Sequence, residues 1–271
     1  MIKEKKLALI ESLLKRHSVI LGKKDNKIYF LDQKNNGFSE DNNDVLVNKM
    51  KLFLKKNPRI FSIITKILTP CCGNQNAKKI IKNIPAQNVI LNLGSGVTSI
   101  RPDVINVDFY PFENVDVVAD ISDLPFEDRI ADVVICDCVL EHVAQPNKVI
   151  HEIIRVAKPN ALVFVVVPFV FGFHSSPHDY YRWSKMGLVE AFKDFKEIET
   201  GIYFGPGHAV NSVFSGYLST ILSFGIKGLQ QILSMVFLVL LVPLNYLDIL
   251  LNRFKTSENI ASHIYFVGRK I

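Results

Sequence analysis

The chain has 271 residues, enough for one large α/β domain or two small ones. Hydrophobic residues make up 48% of it and charged residues 21%, which excludes a disordered chain and predicts a globular, rather apolar protein. The formal net charge is +6, but residues 45–102 contain no acid, whereas residues 103–137 contain ten acids and one base. The basic block is suited to phosphates of lipid or nucleic acid, or it is a solvated face; the acidic block suits a cationic ligand.

The four cysteines are Cys71, Cys72, Cys136 and Cys138, a spacing that fits neither a disulfide framework nor a zinc site. We therefore expect reduced thiols, a cytoplasmic chain and no metal site. The first apolar residues are interrupted by charges at positions 4, 5, 6 and 11, so we predict no signal peptide.

The N-terminal part predicts an accessory region at 1–80, made of helices and one small hairpin. An amphipathic helix is expected at 2–17 and the hairpin at 19–31. A polar, turn-rich loop follows at 32–44, and residues 45–68 have the pattern of a basic amphipathic helix.

From residue 89 onwards, short apolar runs alternate with turns and helical periodicity, which is typical of a parallel sheet covered on both faces. The runs are 89–93, 104–107, 115–119, 133–136, 161–167, 197–204 and 263–268, with a helix expected at 147–156. The pattern therefore predicts an α/β protein.

The first run ends in a glycine turn, Gly94-Ser95-Gly96. Two glycines one residue apart allow a sharp bend, and a ligand can then lie directly against the backbone. A dinucleotide fingerprint would need a third glycine where Ser99 stands and an acid about 20 residues on. Asp108 lies only 12 positions past Gly96 (108 − 96), so the fingerprint is not matched. No Gly-Lys-Ser/Thr follows, so a P-loop is excluded.

An aspartate follows each of the next three runs: Asp108, Asp120 and Asp137. Ligands of open α/β sheets bind at the carboxyl ends of the strands. Each aspartate alone could cap a helix. Three of them beside a glycine turn favour one ligand site.

Six motifs follow one another in order. They are Asn-Leu-Gly-Ser-Gly at 92–96, Val-Asp at 107–108, Ala-Asp-Ile-Ser-Asp-Leu-Pro-Phe at 119–126, Asp-Val-Val-Ile at 132–135, Val-Leu-Glu-His-Val at 139–143 and Arg-Val-Ala-Lys-Pro-Asn at 155–160. This series resembles the Rossmann-like (class I) S-adenosylmethionine-dependent methyltransferases over about residues 85–204. The resemblance implies a doubly wound, seven-stranded, mostly parallel sheet with an antiparallel last strand, in a domain at 81–271.

The resemblance also implies S-adenosyl-L-methionine as the cofactor and a role for each motif. The glycine turn would lie against its methionine part, and Asp108 would bind both ribose hydroxyls because a carboxylate has two acceptor oxygens. Asp120 would accept the adenine amino group between the apolar side chains of Ile121 and Leu124. The implied cofactor-binding residues are Asn92, Gly94, Ser95, Gly96, Asp108, Phe109, Asp120, Ile121, Leu124 and Asp137.

Two features depart from the family. It usually has an acid where Asn92 stands and a third glycine where Thr98 stands. Residues 97–103, with Pro102 among them, leave seven positions before the next strand, whereas a crossover with a helix needs at least about 10–12. We therefore predict a turn in place of the first helix, with contacts to the cofactor's carboxylate coming from elsewhere.

The loop after the fifth run, at 168–181, and the residues just beyond it are crowded with aromatic and histidine side chains, a composition typical of a functional loop. Its His-Asp-Tyr-x-Arg-Trp cluster resembles a subgroup of these methyltransferases associated with cell-surface glycan or lipid pathways. An O- or N-acceptor needs a base, for which we rank His178 first, oriented by Asp179, then His174 and His142. For each histidine a structural hydrogen bond is the alternative, and a carbon acceptor needs no base.

Residues 205–262 are an apolar helical insertion between the last two strands. Its most apolar run, 232–244, is shorter than the about 20 residues that a spanning helix needs. Three interpretations remain open: a core or dimer helix, attachment to a membrane surface, and a re-entrant or double-spanning hairpin.

The sequence as a whole predicts a methyltransferase that acts on a small-molecule or lipid-linked acceptor, a saccharide included. We expect it in the cytoplasm, attached to the inner face of the cell membrane through residues 45–68 and 209–251. The alternatives are an RNA methyltransferase and a non-catalytic binding protein with the same fold, and a homodimer stays open. Nucleic acid is disfavoured because the aromatic loop holds a single Arg.

Overall fold

The computed structural model describes residues 2–16, 18–31, 69, 75–174 and 178–271. The predicted loop at 32–44, the predicted basic helix at 45–68, and Cys71 and Cys72 lie outside the described residues.

One mixed sheet forms the centre of the molecule, in the strand order β1-β2-β5-β4-β3-β6-β7-β9-β8. The strands are β1 (Gly22–Lys24), β2 (Lys27–Tyr29), β3 (Ile90–Leu93), β4 (Ile105–Asp108), β5 (Val117–Val118), β6 (Ala131–Asp137), β7 (Ala157–Pro168), β8 (Phe195–Phe204) and β9 (His263–Lys270). Strands β3 to β7 pair in parallel, and β9 lies antiparallel between β7 and β8. The predicted mostly parallel sheet with an antiparallel last strand is thus confirmed.

The sheet has two strands more than the seven predicted, because the N-terminal hairpin β1–β2 joins its edge. Strand β2 pairs in parallel with β5, where Ile28 lies opposite Val117. Ile28 and Ile10 are buried in the same core as the central strands. The division into an accessory region at 1–80 and a domain at 81–271 stays a prediction.

The helices cover the sheet and form the insertion. They are α1 (Ile2–Ser12), α2 (Ala77–Ile81), α3 (Pro146–Val156), α4 (Lys185–Ala191), α5 (Pro206–Leu222), α6 (Lys227–Leu240), α7 (Val242–Tyr246) and α8 (Asp248–Leu251), with 3₁₀ turns at Leu140–His142 and Lys255–Ile260. Helix α3 agrees with the helix predicted at 147–156, and it buries Val149, Ile150 and Ile153 against the sheet. These residues recur at helical spacing, which places them on one face.

Successive side chains of the central strands enter two separate cores. On β6, Val134 and Cys136 pack into the core shared with α3 and α4, whereas Val133 and Ile135 pack into the core shared with α2. A strand buried on both faces is apolar along its length, which explains why the runs showed no alternation.

The first crossover, between β3 and β4, contains no helix. Residues 94–104 are all described, and they form only turns and bends, as their short length predicts. Arg101 holds this segment: its Nη1 donates to the carbonyls of Ile81 (2.7 Å) and Ile84 (3.0 Å) at the end of α2, and its Nε donates to Asp103 (2.6 Å). A cation at the carboxyl end of a helix also compensates its dipole, so Arg101 joins α2 to the crossover.

Candidate active site

The glycine turn after β3 requires glycine at its first position. Gly94 has φ +64°, and a Cβ added there would lie 2.5 Å from Cγ2 of Val139. Its N–H donates to the carbonyl of Val107 on β4 (2.8 Å). The turn is therefore packed between β4 and the segment after β6. Gly96, at φ +54°, has no atom of the described residues within 4 Å of such a Cβ.

Asp108 lies buried at the end of β4 and shapes the turn beside it. Its Oδ2 accepts the N–H of Gly96 (2.8 Å), and its Oδ1 accepts the N–H of Tyr110 (2.9 Å). Each carboxylate oxygen can accept more than one hydrogen bond. The same carboxylate can thus brace the backbone and receive ligand hydroxyls.

Asp120 lies on the neighbouring strand end. Asp108 pairs with Val118 in the sheet, and the N–H of Ala119 donates to the carbonyl of Asp108 (3.0 Å). The Oδ1 of Asp120 accepts the N–H and the hydroxyl of Ser122, at 2.8 and 2.7 Å, and the residue is exposed. The structure brings Asp108 and Asp120 to the same sheet edge, as predicted, although Asp120 also stabilises its own turn.

Two further predicted cofactor residues, Ser95 and Phe109, have side chains that could contact a ligand. The hydroxyl of Ser95 is buried and has no hydrogen-bond partner among the described residues. A buried polar group without a partner is costly, which a ligand's polar atom would relieve. Phe109 presents an exposed ring directly after Asp108.

Three other predicted cofactor residues lie inside the protein. Leu124 is 0% exposed and belongs to the core with α3, and its contact with the adenine stays a prediction. Ile121 is also largely buried in that core. The amide of Asn92 donates to Oδ1 of Asn106 on β4 (3.0 Å), which uses it to join two strands.

Asp137 ends β6 on the same edge of the sheet. Burial raises the pKa of this carboxyl, and the hydroxyl of Tyr203 donates to its Oδ2 (3.2 Å). Cys138 follows with φ +55°, a left-handed conformation that a residue other than glycine rarely adopts. Such strain occurs preferentially at functional sites, where the surrounding structure holds it.

Glu141, in the 3₁₀ turn after β6, has a side chain that is 0% exposed. Neither carboxylate oxygen has a hydrogen-bond partner in the described part of the chain, and burial raises the pKa of this group to about 8. Glu141 was not among the predicted site residues, although it stands in the Val-Leu-Glu-His-Val motif. An acid next to a histidine in an otherwise apolar stretch was the available signal.

The predicted bases His142 and His174 lie together, with ring centroids 4.9 Å apart. His142 comes from the turn after β6 and His174 from the loop after β7. The Nδ1 of His142 lies 2.6 Å from the backbone carbonyl of His178, and the N–H of Tyr180 donates to the carbonyl of Glu141 (2.7 Å). These bonds attach the loop to the turn.

Asp179 does not orient His178. Its carboxylate accepts two hydrogen bonds from the guanidinium of Arg182, and its Oδ2 accepts the backbone N–H of His174 (2.8 Å). Burial alone would raise the pKa of Asp179, but the bonds from Arg182 and His174 lower it overall. His178 is exposed, and its ring lies beside that of Tyr180. The predicted His178–Asp179 pair is therefore corrected: Asp179 pairs with Arg182 and His174.

Two more histidines lie behind this loop, and sequence reasoning missed both. His208, from α5, is stacked on Phe171 of the loop, and His263, at the start of β9, contacts the same ring. Burial lowers the pKa of His208 to about 4, and it lowers that of His263 strongly, so both are neutral near pH 7. No local pattern connects residues so far apart in the chain.

Residues 93–165 match a family model described as a methyltransferase domain. The chain carries an S-adenosylmethionine-dependent methyltransferase domain. The matched segment of this methyltransferase runs from the glycine turn through Asp108, Asp120 and Glu141 into β7, so it includes the sheet edge described above. No curated protein matches the chain significantly.

Several solved structures are similar to this methyltransferase. Phosphoethanolamine N-methyltransferase 2 of Haemonchus contortus is 16% identical with a TM-score of 0.46, over 80% of this chain and 59% of that one. The 1,6-didemethyltoxoflavin N1-methyltransferase of Burkholderia thailandensis is 13% identical at 0.46, over 83% and 87%. A [4+2]-cyclase is 12% identical at 0.44, over 80% and 95%. None of these similarities bears on the acceptor of this chain.

S-adenosylmethionine is the cofactor of a methyltransferase domain, and the residues at the sheet edge fit it. Among the described residues no atom lies within 4 Å of a Cβ added at Gly96, and none is a partner for the buried hydroxyl of Ser95. The carboxylate of Asp108 is a group that can accept ribose hydroxyls. Asp120 would receive the adenine amino group. The individual roles of these residues stay predictions.

Proposed function

We propose that this protein methylates a lipid-linked or small-molecule acceptor, a saccharide included, at the cytoplasmic face of the cell membrane. The observation that carries the proposal is the helical insertion, whose helices bury polar residues and expose apolar ones. This insertion is attached directly to the loop that contacts the sheet edge.

The interior of the insertion is polar. Asn211, Ser215 and Asn245 are buried and form one network, in which Asn211 donates to Oδ1 of Asn245 (3.1 Å) and Ser215 donates to Asn211 (3.1 Å). Asp248 is buried as well, and its carboxylate accepts the backbone N–H groups of Gly207 (2.7 Å) and His208 (3.1 Å) at the start of α5. Helix–helix contacts made of small and polar residues are typical of membrane proteins.

The exterior of the insertion is apolar. None of the residues of α6, all of which the structure describes, is buried. The exposed large apolar residues of the insertion include Val213, Phe214, Tyr217, Ile221, Phe224, Ile226, Ile232, Val236, Val239, Leu240, Leu247, Ile249 and Leu250. An apolar surface of this extent on a soluble protein marks a binding surface.

The dimensions of these helices suit the surface of a membrane. No single helix in the described ranges is long and apolar enough to cross one, but Lys227–Leu240 and Val242–Leu251 together meet the length and composition requirement, with a bend of 43° between them. Helices that lie in the interface bury their apolar face in the boundary between headgroups and acyl chains. We therefore favour a bent pair in the plane of the membrane.

The insertion is joined to the aromatic loop at the sheet edge. The hydroxyl of Ser212 on α5 accepts the N–H of Gly172 (3.2 Å), and the ring of His208 lies parallel to that of Phe171. Arg182 binds the carbonyls of Phe171 (3.1 Å) and Gly172 (2.8 Å), so the loop is held in place. An acceptor whose tail lies in lipid would thus bring its head group next to the cofactor edge.

The reaction at this sheet edge would be methyl transfer, which the protein accelerates by positioning the cofactor and the acceptor. S-adenosylmethionine supplies the methyl group and leaves as S-adenosylhomocysteine. Holding the two reactants in line contributes most of the acceleration. An oxygen or nitrogen acceptor must also lose a proton. Glu141, His142 and His174 lie together between the 3₁₀ turn and the loop after β7, and this cluster would receive that proton.

Calorimetry with S-adenosylmethionine tests the catalytic part. We expect micromolar binding to the full chain and its loss in Asp108→Ala, because that change removes the carboxylate that braces Gly96. Circular dichroism shows whether the variant is folded. The absence of heat with the wild-type protein would favour the non-catalytic alternative.

Sedimentation with vesicles of phosphatidylglycerol and phosphatidylcholine tests the membrane part. The double variant Val239→Asp, Leu250→Asp places charges on the exposed apolar surface and should abolish pelleting with vesicles. Met186→Asp is the control, because Met186 is 84% exposed on α4, outside the insertion. Pelleting that persists in the double variant would contradict the proposal. So would vesicle binding that high salt abolishes, together with salt-sensitive binding of RNA by the purified chain.

A further inference from the structure

Glu141, His142 and His174 converge beside the sheet edge. One ligand atom from each of them, a carboxylate oxygen or a ring nitrogen, lies within 4.8 Å of the other two. Two of the residues are adjacent in the 3₁₀ turn after β6, and the third comes from the loop after β7, so the fold and not the sequence spacing brings them together.

Glu141 points to a ligand because its buried carboxyl lacks a hydrogen-bond partner among the described residues, although Arg182 interacts with it electrostatically. The side chain is completely buried, and both of its oxygens lack a hydrogen-bond partner among the described residues. A buried carboxyl without a hydrogen-bond partner destabilises the fold, and the more so when it is ionised. A bound cation would offset this cost.

His142 is held as a metal ligand would be. Its Nδ1 lies 2.6 Å from the carbonyl oxygen of His178, which can only accept, so Nδ1 carries the proton and Nε2 carries the lone pair of the neutral ring. A histidine that binds a metal through one nitrogen typically donates the other N–H to a carbonyl or carboxylate. The Nε2 of His142 lies 3.9 Å from Oε1 of Glu141, about 0.5 Å longer than the roughly 3.4 Å that two bonds of about 2.1 Å span at the tetrahedral angle.

His174 is positioned by a second layer of contacts. Its backbone N–H donates to Oδ2 of Asp179, and the same oxygen lies 3.6 Å from its Nδ1. The ring packs edge-on against His142 and Phe171. Arg182 in turn fixes Asp179, so the carboxylate that contacts His174 is itself held in place.

We propose that Glu141, His142 and His174 bind a divalent metal ion of the Zn²⁺ class. Two imidazole nitrogens and one carboxylate are a ligand set that Zn²⁺ accepts and that Mg²⁺ and Ca²⁺ disfavour, since these prefer oxygen only. Three protein ligands leave a fourth position open, as in catalytic zinc sites. The ligand atoms, which lie within 4.8 Å of one another, need to approach to the about 3.4 Å between ligands of a tetrahedral site.

The open position would take the acceptor's oxygen or nitrogen. A metal-bound hydroxyl releases its proton to water more easily, so the two histidines would act as ligands and not as bases. The acceptor oxygen would then bond to the methyl carbon as the carbon–sulfur bond breaks and S-adenosylhomocysteine leaves. This role rests on the proposed methyltransferase activity, whereas metal binding itself does not.

Titration of the metal-free full chain with Co²⁺, without a polyhistidine tag, tests the site directly. We expect one Co²⁺ per chain with visible absorption typical of tetrahedral coordination, displaced by Zn²⁺. Glu141→Gln keeps the shape of the side chain and removes the charge; it should weaken the affinity for Co²⁺ by at least about 100-fold, because even outer-layer partners are worth about 10- to 100-fold. His174→Ala should weaken it similarly.

His151→Gln is the matched control, because His151 is an exposed histidine on α3 away from the site. It should leave the Co²⁺ affinity and spectrum unchanged. Thermal unfolding identifies a variant that fails to fold, and His142→Ala then replaces it. An unchanged affinity in folded Glu141→Gln, or no Co²⁺ spectrum in the wild-type chain, would overturn the proposal.

The same samples separate the metal site from the proposed function. Binding of S-adenosylmethionine without any bound Co²⁺ would leave the methyltransferase proposal intact and remove the metal. Binding of Co²⁺ without binding of S-adenosylmethionine would do the reverse.

Discussion

The methyltransferase segment, 93–165, and the helical insertion, 205–262, are both rich in apolar residues. The first buries its apolar side chains, whereas the second exposes many of them. In the segment, strands such as β3 bury every side chain, and polar groups appear at the strand ends. In the insertion, polar residues such as Asn211 and Asp248 are inside, and Leu240 and Phe224 are outside. An apolar run therefore predicts an element but not which surroundings it faces.

The largest effect should come from the same mutation made in each region. Leu91→Ala, at 0% exposure in β3, removes a core side chain and should lower the free energy of unfolding by about 2–5 kcal/mol. Leu240→Ala, at 63% exposure in α6, should change it by less than about 0.5 kcal/mol. Urea unfolding of both variants measures the contrast. A large loss for Leu240→Ala would show that its surface is covered in solution, and the proposed lipid surface would then be wrong.

The second contrast lies within the glycine turn. Gly94→Ala combines a left-handed backbone with a Cβ 2.5 Å from Val139. It should lower the free energy of unfolding by about 2–4 kcal/mol and abolish the binding of S-adenosylmethionine. Gly96→Ala meets no neighbouring atom of the described residues and should cost only about 1–2 kcal/mol for its backbone. Urea unfolding together with calorimetry checks both. Equal costs would mean that Val139 moves aside.

The sequence predicted what depends on neighbouring residues and missed what depends on distant ones. The glycine turn, Asp108 at a strand end and the short crossover all follow from local pattern, and the structure has each of them. The predicted His178–Asp179 pair was wrong because adjacent side chains diverge, and Asp179 reaches Arg182 and His174 instead.

Other parts of the site have no local signal at all. Glu141 meets His174 across 33 positions (174 − 141), and Phe171 meets His263 across 92 (263 − 171). Burial is a property of the whole fold, so the sequence alone did not distinguish the inside of the insertion from its outside.

The pH dependence of stability should reveal the attachment between the two regions. His208 has its pKa lowered from 6.5 to about 4 by burial against the loop. Between these values the unfolded chain binds a proton at His208 that the folded chain does not, so the contribution of His208 to stability is complete above pH 6.5 and is lost as the pH falls to about 4. Glu141, whose pKa burial raises to about 8, acts in the opposite direction and is unchanged in the variants compared. The loss attributable to His208 is up to about 3 kcal/mol.

His263 contributes in the same direction, because burial lowers its pKa as well. His208→Gln should therefore flatten the loss of stability without abolishing it, as measured by urea unfolding across this pH range. The control is His151→Gln, because His151 is exposed. In this variant the free energy of unfolding should change with pH as steeply as in the wild-type protein. An identical slope in His208→Gln would mean that His208 is hydrated in solution and that the insertion is not closed against the loop.

The smallest effect concerns the polar interior of the insertion. Asn211→Ala removes the donor that reaches Oδ1 of Asn245 and the carbonyl of Leu238, and it should lower the free energy of unfolding by about 1–2 kcal/mol. Asn147→Ala, at an exposed position of α3, is the control and should cost less than about 0.5 kcal/mol. The measurement becomes decisive when it is repeated with vesicles present. If lipid covers the apolar exterior, the polar network alone holds α5 to α6 and α7, because apolar helix surfaces gain nothing from each other in lipid. The cost of Asn211→Ala should then stay the same or rise with vesicles, whereas a cost that disappears would indicate that the helices are held by apolar packing and that the network is incidental.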